Sequence, residues 1–218
     1  MAGKTQQKGP CYLCGQELGK GYMGRHLLSK HLTETEGQPC YLLKVEDTSR
    51  KYWLFLDIPL TSTLSTLDNF LRAVWLECCG HMSAFMAPKT FDEDYSLSRK
   101  IGSFKPEQVV QYEYDFGDTT TLYITFVKTV ARPKQRTAVR VLARNAPYTF
   151  ACEKCGKPAE YVYMEEWPPE LYCEKCAEEQ NEGLEMCLPV VNSPRMGVCG
   201  YCGELDHYQF DPRSIQKA

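Results

Sequence analysis

The stretch at 111–126, QYEYDFGDTTTLYITF, decides how the chain is read. Tyr112, Tyr114 and Phe116 fall on one side of an extended backbone, and Gln111, Glu113 and Asp115 on the other. Side chains alternate across a strand with a period of two, so this is a half-buried strand. Alternation resumes at Leu122, Ile124 and Phe126 after Gly117-Asp118. Two alternating runs separated by Gly-Asp predict a hairpin, because glycine supplies the positive φ that tight hairpin turns need. The Asp115-Phe116-Gly117 tripeptide also occurs in protein kinases. There it works with a glycine-rich loop, a strand lysine and a His-Arg-Asp catalytic loop. None of these precedes residue 115.

Working outward, runs at 41–45, 52–58, 109–116, 119–130 and 138–143 are rich in aromatic and β-branched residues and predict strands. Leu64, Leu67, Phe70, Leu71, Val74 and Trp75 recur at helical spacing, and Thr63 stands where an N-cap belongs. Strands in runs around one principal helix predict an α+β fold with a mainly antiparallel sheet.

Five residues form the motif Tyr114-Asp115-Phe116-Gly117-Asp118, and Trp75, His81 and Phe85 precede it in WLECCGHMSAF. Together they resemble the Ri-plasmid ORF-three-like family, often labelled TnpR-like transposon passenger proteins, over roughly residues 40–145. The tail LPVVNSPRMGVCGYCG at 188–203 resembles longer members. The resemblance implies a link to mobile elements but no activity, since no recombinase nucleophile is recognisable.

Outside this core, cysteine carries the chemistry. Twelve cysteines include four Cys-x-x-Cys pairs. In a reducing compartment such pairs read as metal knuckles before disulfides. Cys11 and Cys14 precede His26 and His31 in a segment that resembles a C2H2 zinc finger, with Leu18 and Met23 where a small apolar core belongs. Its gap is one residue short, and Gly19, Gly21 and Gly24 weaken the expected helix. Cys152, Cys155, Cys173 and Cys176 have zinc-ribbon spacing, with 161–164 as an intervening strand. Four thiolates close the coordination sphere, which marks a structural ion. Cys199 and Cys202 lack a partner pair, and Cys187 with His207 would complete a third set. Cys40, Cys78 and Cys79 read as small buried apolar residues. Two structural zinc ions are expected, with the third open.

The segments are therefore a finger at 1–32, a linker at 33–39, the α+β core at 40–150, and a ribbon with a tail at 151–218. The net charge of −3 conceals an alternation: +4 over 1–32, −5 over 33–98, +5 over 99–151 and −7 over 152–218. Nucleic acid favours the first and third segments, and Lys20, Arg25 and Lys30 are the candidate phosphate contacts. Acidic residues around the ribbon, including Glu165, Glu166, Glu178 and Glu179, argue against its gripping phosphate. No run reaches the roughly 20 apolar residues of a membrane span, and no signal sequence is visible, so a cytoplasmic setting is expected. The leading expectation is a non-enzymatic zinc protein that binds DNA or RNA as an associated or adaptor factor, with no catalytic residues and no evident small-molecule substrate. A protein–protein adaptor is the alternative. An enzyme using His81 with Asp115 or Asp118 is the third.

Overall fold

A computed structural model describes residues 7–88, 94–165, 168–180, 183–204 and 208–215. The main sheet has six antiparallel strands. They are β3 (Gln38–Asp47), β4 (Trp53–Pro59), β5 (Ser83–Met86), β6 (Val109–Tyr114), β7 (Thr120–Arg132) and β8 (Arg140–Arg144), in the order β5-β6-β7-β3-β4-β8. The expected α+β class with a mainly antiparallel sheet is what the chain adopts. β3 starts inside the segment read as a linker.

Strand β4 is buried at every position, because both faces of the sheet are covered. Leu54, Leu56 and Ile58 point to one side and join Tyr41, Leu43 and Val45. That side packs under α2 (Leu64–Leu71) through Leu64, Leu67, Phe70 and Leu71. Thr63 caps α2 as expected, its hydroxyl accepting from the Thr66 backbone N–H at 3.4 Å. The helix then widens into one π turn, Arg72–Leu76, where Glu77 N–H reaches Arg72 C=O at 2.8 Å. This turn buries Val74 and Trp75 in the same cluster.

Trp53 and Phe55 point to the opposite side with Cys40 and Leu42. That side is covered by the N-terminal segment: β1 (Lys8–Pro10), β2 (Glu17–Gly19) and α1 (Lys20–Lys30). Met23 and Leu27, one turn apart on α1, are fully buried against it. Burying each contributes about 2 kcal/mol, and α1 runs unbroken through Gly21 and Gly24. β1 also lies along the exposed edge of β8. Tyr12 N–H donates to Leu142 C=O at 2.7 Å, and Ala146 N–H to Lys8 C=O at 2.8 Å. At Gly9 a Cβ would sit 1.8 Å from the Arg144 carbonyl oxygen, so only glycine allows this approach.

The hairpin at 111–126 forms, with Tyr114 opposite Thr120. Its turn differs from the expected one. Asp115, not Gly117, takes the left-handed conformation at φ 66°. The extended run therefore ends at Tyr114, and Phe116 turns outward to 50% exposure instead of continuing the buried face. Asp115 can occupy this position because its Oδ1 accepts from the Gly117 and Asp118 N–H groups at 3.0 and 3.3 Å.

A second sheet of three strands, β9 (Tyr161–Tyr163), β10 (Glu170–Tyr172) and β11 (Cys187–Pro189), carries the ribbon, followed after β10 by α3 (Glu174–Glu178). The strand expected at 161–164 is β9. Beyond β11 the chain returns to the core. Ser193 Oγ donates to Trp75 C=O at 2.7 Å, and Tyr201 OH to Val74 C=O at 3.4 Å.

Candidate metal centres

The finger ligands meet as the spacing requires. β1 and β2 pair antiparallel and deliver Cys11 and Cys14 from their connecting knuckle. Cys11 N–H donates to Gln16 C=O at 2.9 Å, and Gly15 N–H to Cys11 C=O at 2.7 Å. His26 lies on α1 and His31 at its C-terminal end. Cys14 Sγ stands 3.3 Å from His26 Nε2, and the two imidazole Nε2 atoms are 3.1 Å apart. Burial, then the charge of Lys30, lowers the pKa of His26; burial, then His26 and Arg140, lowers that of His31. Both rings therefore favour the neutral, ligating form. Burial pushes the Cys11 thiol up to about 11.

The ribbon is assembled in the same local manner. Cys152 N–H donates to Lys157 C=O at 2.6 Å, and Gly156 N–H to Cys152 C=O at 2.8 Å, closing the first knuckle. Cys173 precedes α3 and Cys176 lies on it, so the second pair is aimed by the helix start. Cys155 and Cys173 Sγ are 3.6 Å apart. For Cys152 burial opposes ionisation, but backbone N–H groups of Cys173, Cys155 and Lys154 carry it down to about 6. Burial, then the neighbouring thiols of Cys155 and Cys173, pushes Cys176 up to about 12. The Cys152 thiolate forms readily and Cys176 resists, a charge problem that a bound cation would remove.

Both sets, Cys11/Cys14/His26/His31 and Cys152/Cys155/Cys173/Cys176, have all four donor atoms within 4.8 Å of one another and can hold a metal ion. The third set differs from the expected one. Cys199 meets Cys78, Cys79 and His81, again within 4.8 Å. Cys202 is exposed and donates to Gly200 C=O at 3.3 Å, lining a groove of about 520 Å³ with Tyr12 and Arg144. Cys187 sits on β11 against Gly183 C=O at 3.5 Å. His207 and Glu166 lie outside the described residues. Cys79 is exposed and so is not the small core residue expected, Cys78 is half-buried and packs against the core, and Cys40 is buried in the core. The halves of this set are about 120 residues apart, and residues 78–81 have no Cys-x-x-Cys spacing, so local sequence carries no signal of it. The Cys199 thiol is brought down to about 7, chiefly by His81 and then Cys79. Cys79 is pushed up to about 12, chiefly by Cys199.

His81 and Asp115 do come together, with Nε2 3.4 Å from Oδ2. Asp115 is held by Arg195, whose Nη2 donates to Oδ2 at 2.6 Å, and this holds its carboxyl below the usual range. The Asp118 carbonyl accepts from the same guanidinium at 3.0 Å. Arg195 is fully buried and its guanidinium lies 4.8 Å from the Tyr114 ring centre.

Of the proposed phosphate contacts, Arg25 and Lys30 are exposed on α1. Lys20 is engaged: it pairs with Glu46 on β3 and donates to Arg50 C=O at 3.1 Å. Among the described residues no helix is long and apolar enough to cross a membrane.

No family model matches the chain. A crystal structure of a protein of unknown function from Methanosarcina mazei Go1 is similar, with a TM-score of 0.43 and 20% identity. The match covers 56% of this chain and 76% of that one.

Proposed function

We propose that the chain is a non-enzymatic zinc protein that binds nucleic acid through the outer face of α1. One observation carries the reading. Counting Lys20 as the first helical residue, Tyr22 and Arg25 occupy positions 3 and 6, from which a C2H2 finger meets bases. Met23 and Leu27 anchor the inner face to the sheet, while Tyr22 stays 68% exposed and Arg25 and Lys30 project beside it. An aromatic ring for stacking and two cations for phosphate are the elements of such a surface. Zinc fits the finger and ribbon because their donors are nitrogen and sulfur in sets of four. Bound there, it supplies rigidity and not chemistry, since no position stays open. Asp115 is committed to Arg195 and its own turn, which supports a role without catalysis.

One finger reads about three base pairs, so the expected ligand is a structure or an end in DNA or RNA, not a long sequence. Expected binding weakens steeply with salt. Arg25→Ala and Lys30→Ala should each flatten the log–log salt slope by about one. A protein that binds no form of DNA or RNA at low salt refutes the reading. The kinship of residues 40–145 with plasmid ORF-three-like proteins is part of the same proposal. It rests on the residues 114–118 motif with Trp75 and His81. A reducing, cytoplasmic setting accords with twelve unbridged cysteines.

A protein-binding reading is favoured by a different observation. Met82 is 71% exposed and Phe116 50%, on neighbouring segments joined by the Asp115 N–H to Met82 C=O bond at 2.9 Å. One stoichiometric protein partner, retained after nuclease and lost in Phe116→Ser, would select it.

A further inference from the structure

We propose that Cys78, Cys79, His81 and Cys199 form a third zinc site, a clasp that fastens the C-terminal segment over the Asp115 turn. It is independent of the reading of α1.

Two of the distances match a coordination tetrahedron and two are shorter. Zn–S bonds of about 2.3 Å and Zn–N bonds of about 2.0–2.1 Å place sulfurs about 3.8 Å apart and sulfur about 3.6 Å from nitrogen. Here Cys78 and Cys79 Sγ are 3.8 Å apart, Cys79 and Cys199 3.4 Å, and Cys199 Sγ and His81 Nε2 3.5 Å. Cys79 Sγ and His81 Nε2 are closest, at 2.9 Å.

The backbone is shaped to bring them there. The π turn ends α2, and Glu77 leaves it extended. Gly80, at φ 80°, then reverses the chain so that Cys79 and His81 face one point. From the other side Cys199 holds φ 53°, a left-handed conformation uncommon outside glycine. Such a residue persists where its surroundings over-determine it. Ser193, Arg195 and Tyr201 supply that constraint by anchoring the tail on Trp75, Asp115 and Val74.

The electrostatics match a sulfur-rich ion. Three thiolates and a neutral imidazole around Zn²⁺ sum to −1. Arg195 Nη2 lies 3.5 Å from Cys78 Sγ while also holding Asp115, so the buried guanidinium lies between the two anionic groups and offsets one of their two negative charges. Soft sulfur donors select zinc over calcium or magnesium. The site thus joins the residues 114–118 motif, the WLECCGH segment and the tail at one point.

The test uses the full-length protein, purified under reducing conditions with zinc present. Metal analysis should give about three zinc ions per chain on ligand count. Cys199→Ser and Cys79→Ser should each remove one, and Cys202→Ser none. Native alkylation provides a readout without variants. Cys199 and Cys202 are both exposed, so only metal should shield Cys199. Labelling of Cys202 but not Cys199, with Cys199 becoming reactive after chelation, supports the clasp. Two zinc ions in the wild type, a third retained in Cys199→Ser, equal labelling of Cys199 and Cys202, or a Cys79–Cys199 disulfide in zinc-loaded protein would overturn it.

Discussion

The finger and the ribbon each gather four candidate metal donors from a short piece of chain, yet a bound metal would matter to them to very different degrees. Among the described residues the ribbon's buried apolar cluster is Cys152, Tyr163, Tyr172, Cys173, Cys176 and Ala177, and half of these are the candidate ligands themselves. The finger shares its cluster with the sheet, where Met23 and Leu27 meet Leu42, Trp53, Phe55 and Leu142. In the first module a bound metal would be the core. In the second it would fix the tip of an element that hydrophobic burial already holds in place. Ligand count alone therefore does not tell how much of a fold a metal carries; the apolar surface left without it does.

The sharpest way to break this contrast is to remove one ligand from each module. Structural zinc contributes about 10–16 kcal/mol of apparent binding free energy in small fingers that fold only with metal. Cys173→Ala should therefore unfold the ribbon outright, erasing amide-exchange protection at Val162 and Tyr172 while the main sheet keeps its own. Cys14→Ser should leave α1 docked, with protection at Leu27 reduced but present. Equal loss in both modules would show that the finger's apolar contacts are not sufficient to hold it.

Beneath the finger lies a buried charge cluster. Asp57 is fully buried on β4 and accepts from Arg132 and Arg140, while Arg132 also donates to Thr137 and Ala138 carbonyls at 3.0 and 3.1 Å. Removing one partner strands the other charge in a dry interior. Asp57→Ala should cost about 3–5 kcal/mol in denaturant unfolding. A loss below about 1 kcal/mol would mean that water reaches Arg132 and that this side of the sheet is less sealed than the finger's packing implies. Leu27→Ala addresses the same interface through packing, with an expected cost of about 2–4 kcal/mol. It should also loosen α1 more than Cys14→Ser does, reversing the order expected of a metal-dependent finger.

What the sequence made legible follows the same division. α2 and its Thr63 cap, the hairpin strands, and both local ligand sets were readable because their signals repeat within a few residues. The docking of α1 was not, since Met23 and Leu27 have the same spacing in a free finger and a packed one. Nor was the Cys79–Cys199 meeting, which depends on how the tail returns across the π turn. The turn at Asp115 misled because glycine is the usual carrier of positive φ, and here an aspartate that accepts two backbone N–H groups takes that role.

The smallest effect tests the polar seam between finger and sheet. Burial opposes the Glu46 charge, but Lys20 from α1 and Lys44 from β3 outweigh it and hold the carboxyl below its usual range. A carboxylate with a depressed folded pKa contributes stability above its unfolded value of about 4.3, and that contribution is lost as pH falls through the folded value. Glu46→Gln should therefore be less stable than wild type by about 1 kcal/mol at neutral pH and low salt. The two unfolding curves should converge below about pH 4, and added salt should narrow the gap at pH 7. A difference that persists at acid pH would assign Glu46 a packing role instead. Hydrophobic burial and the backbone bonds between β1 and β8 would then be left to tie the finger to the sheet.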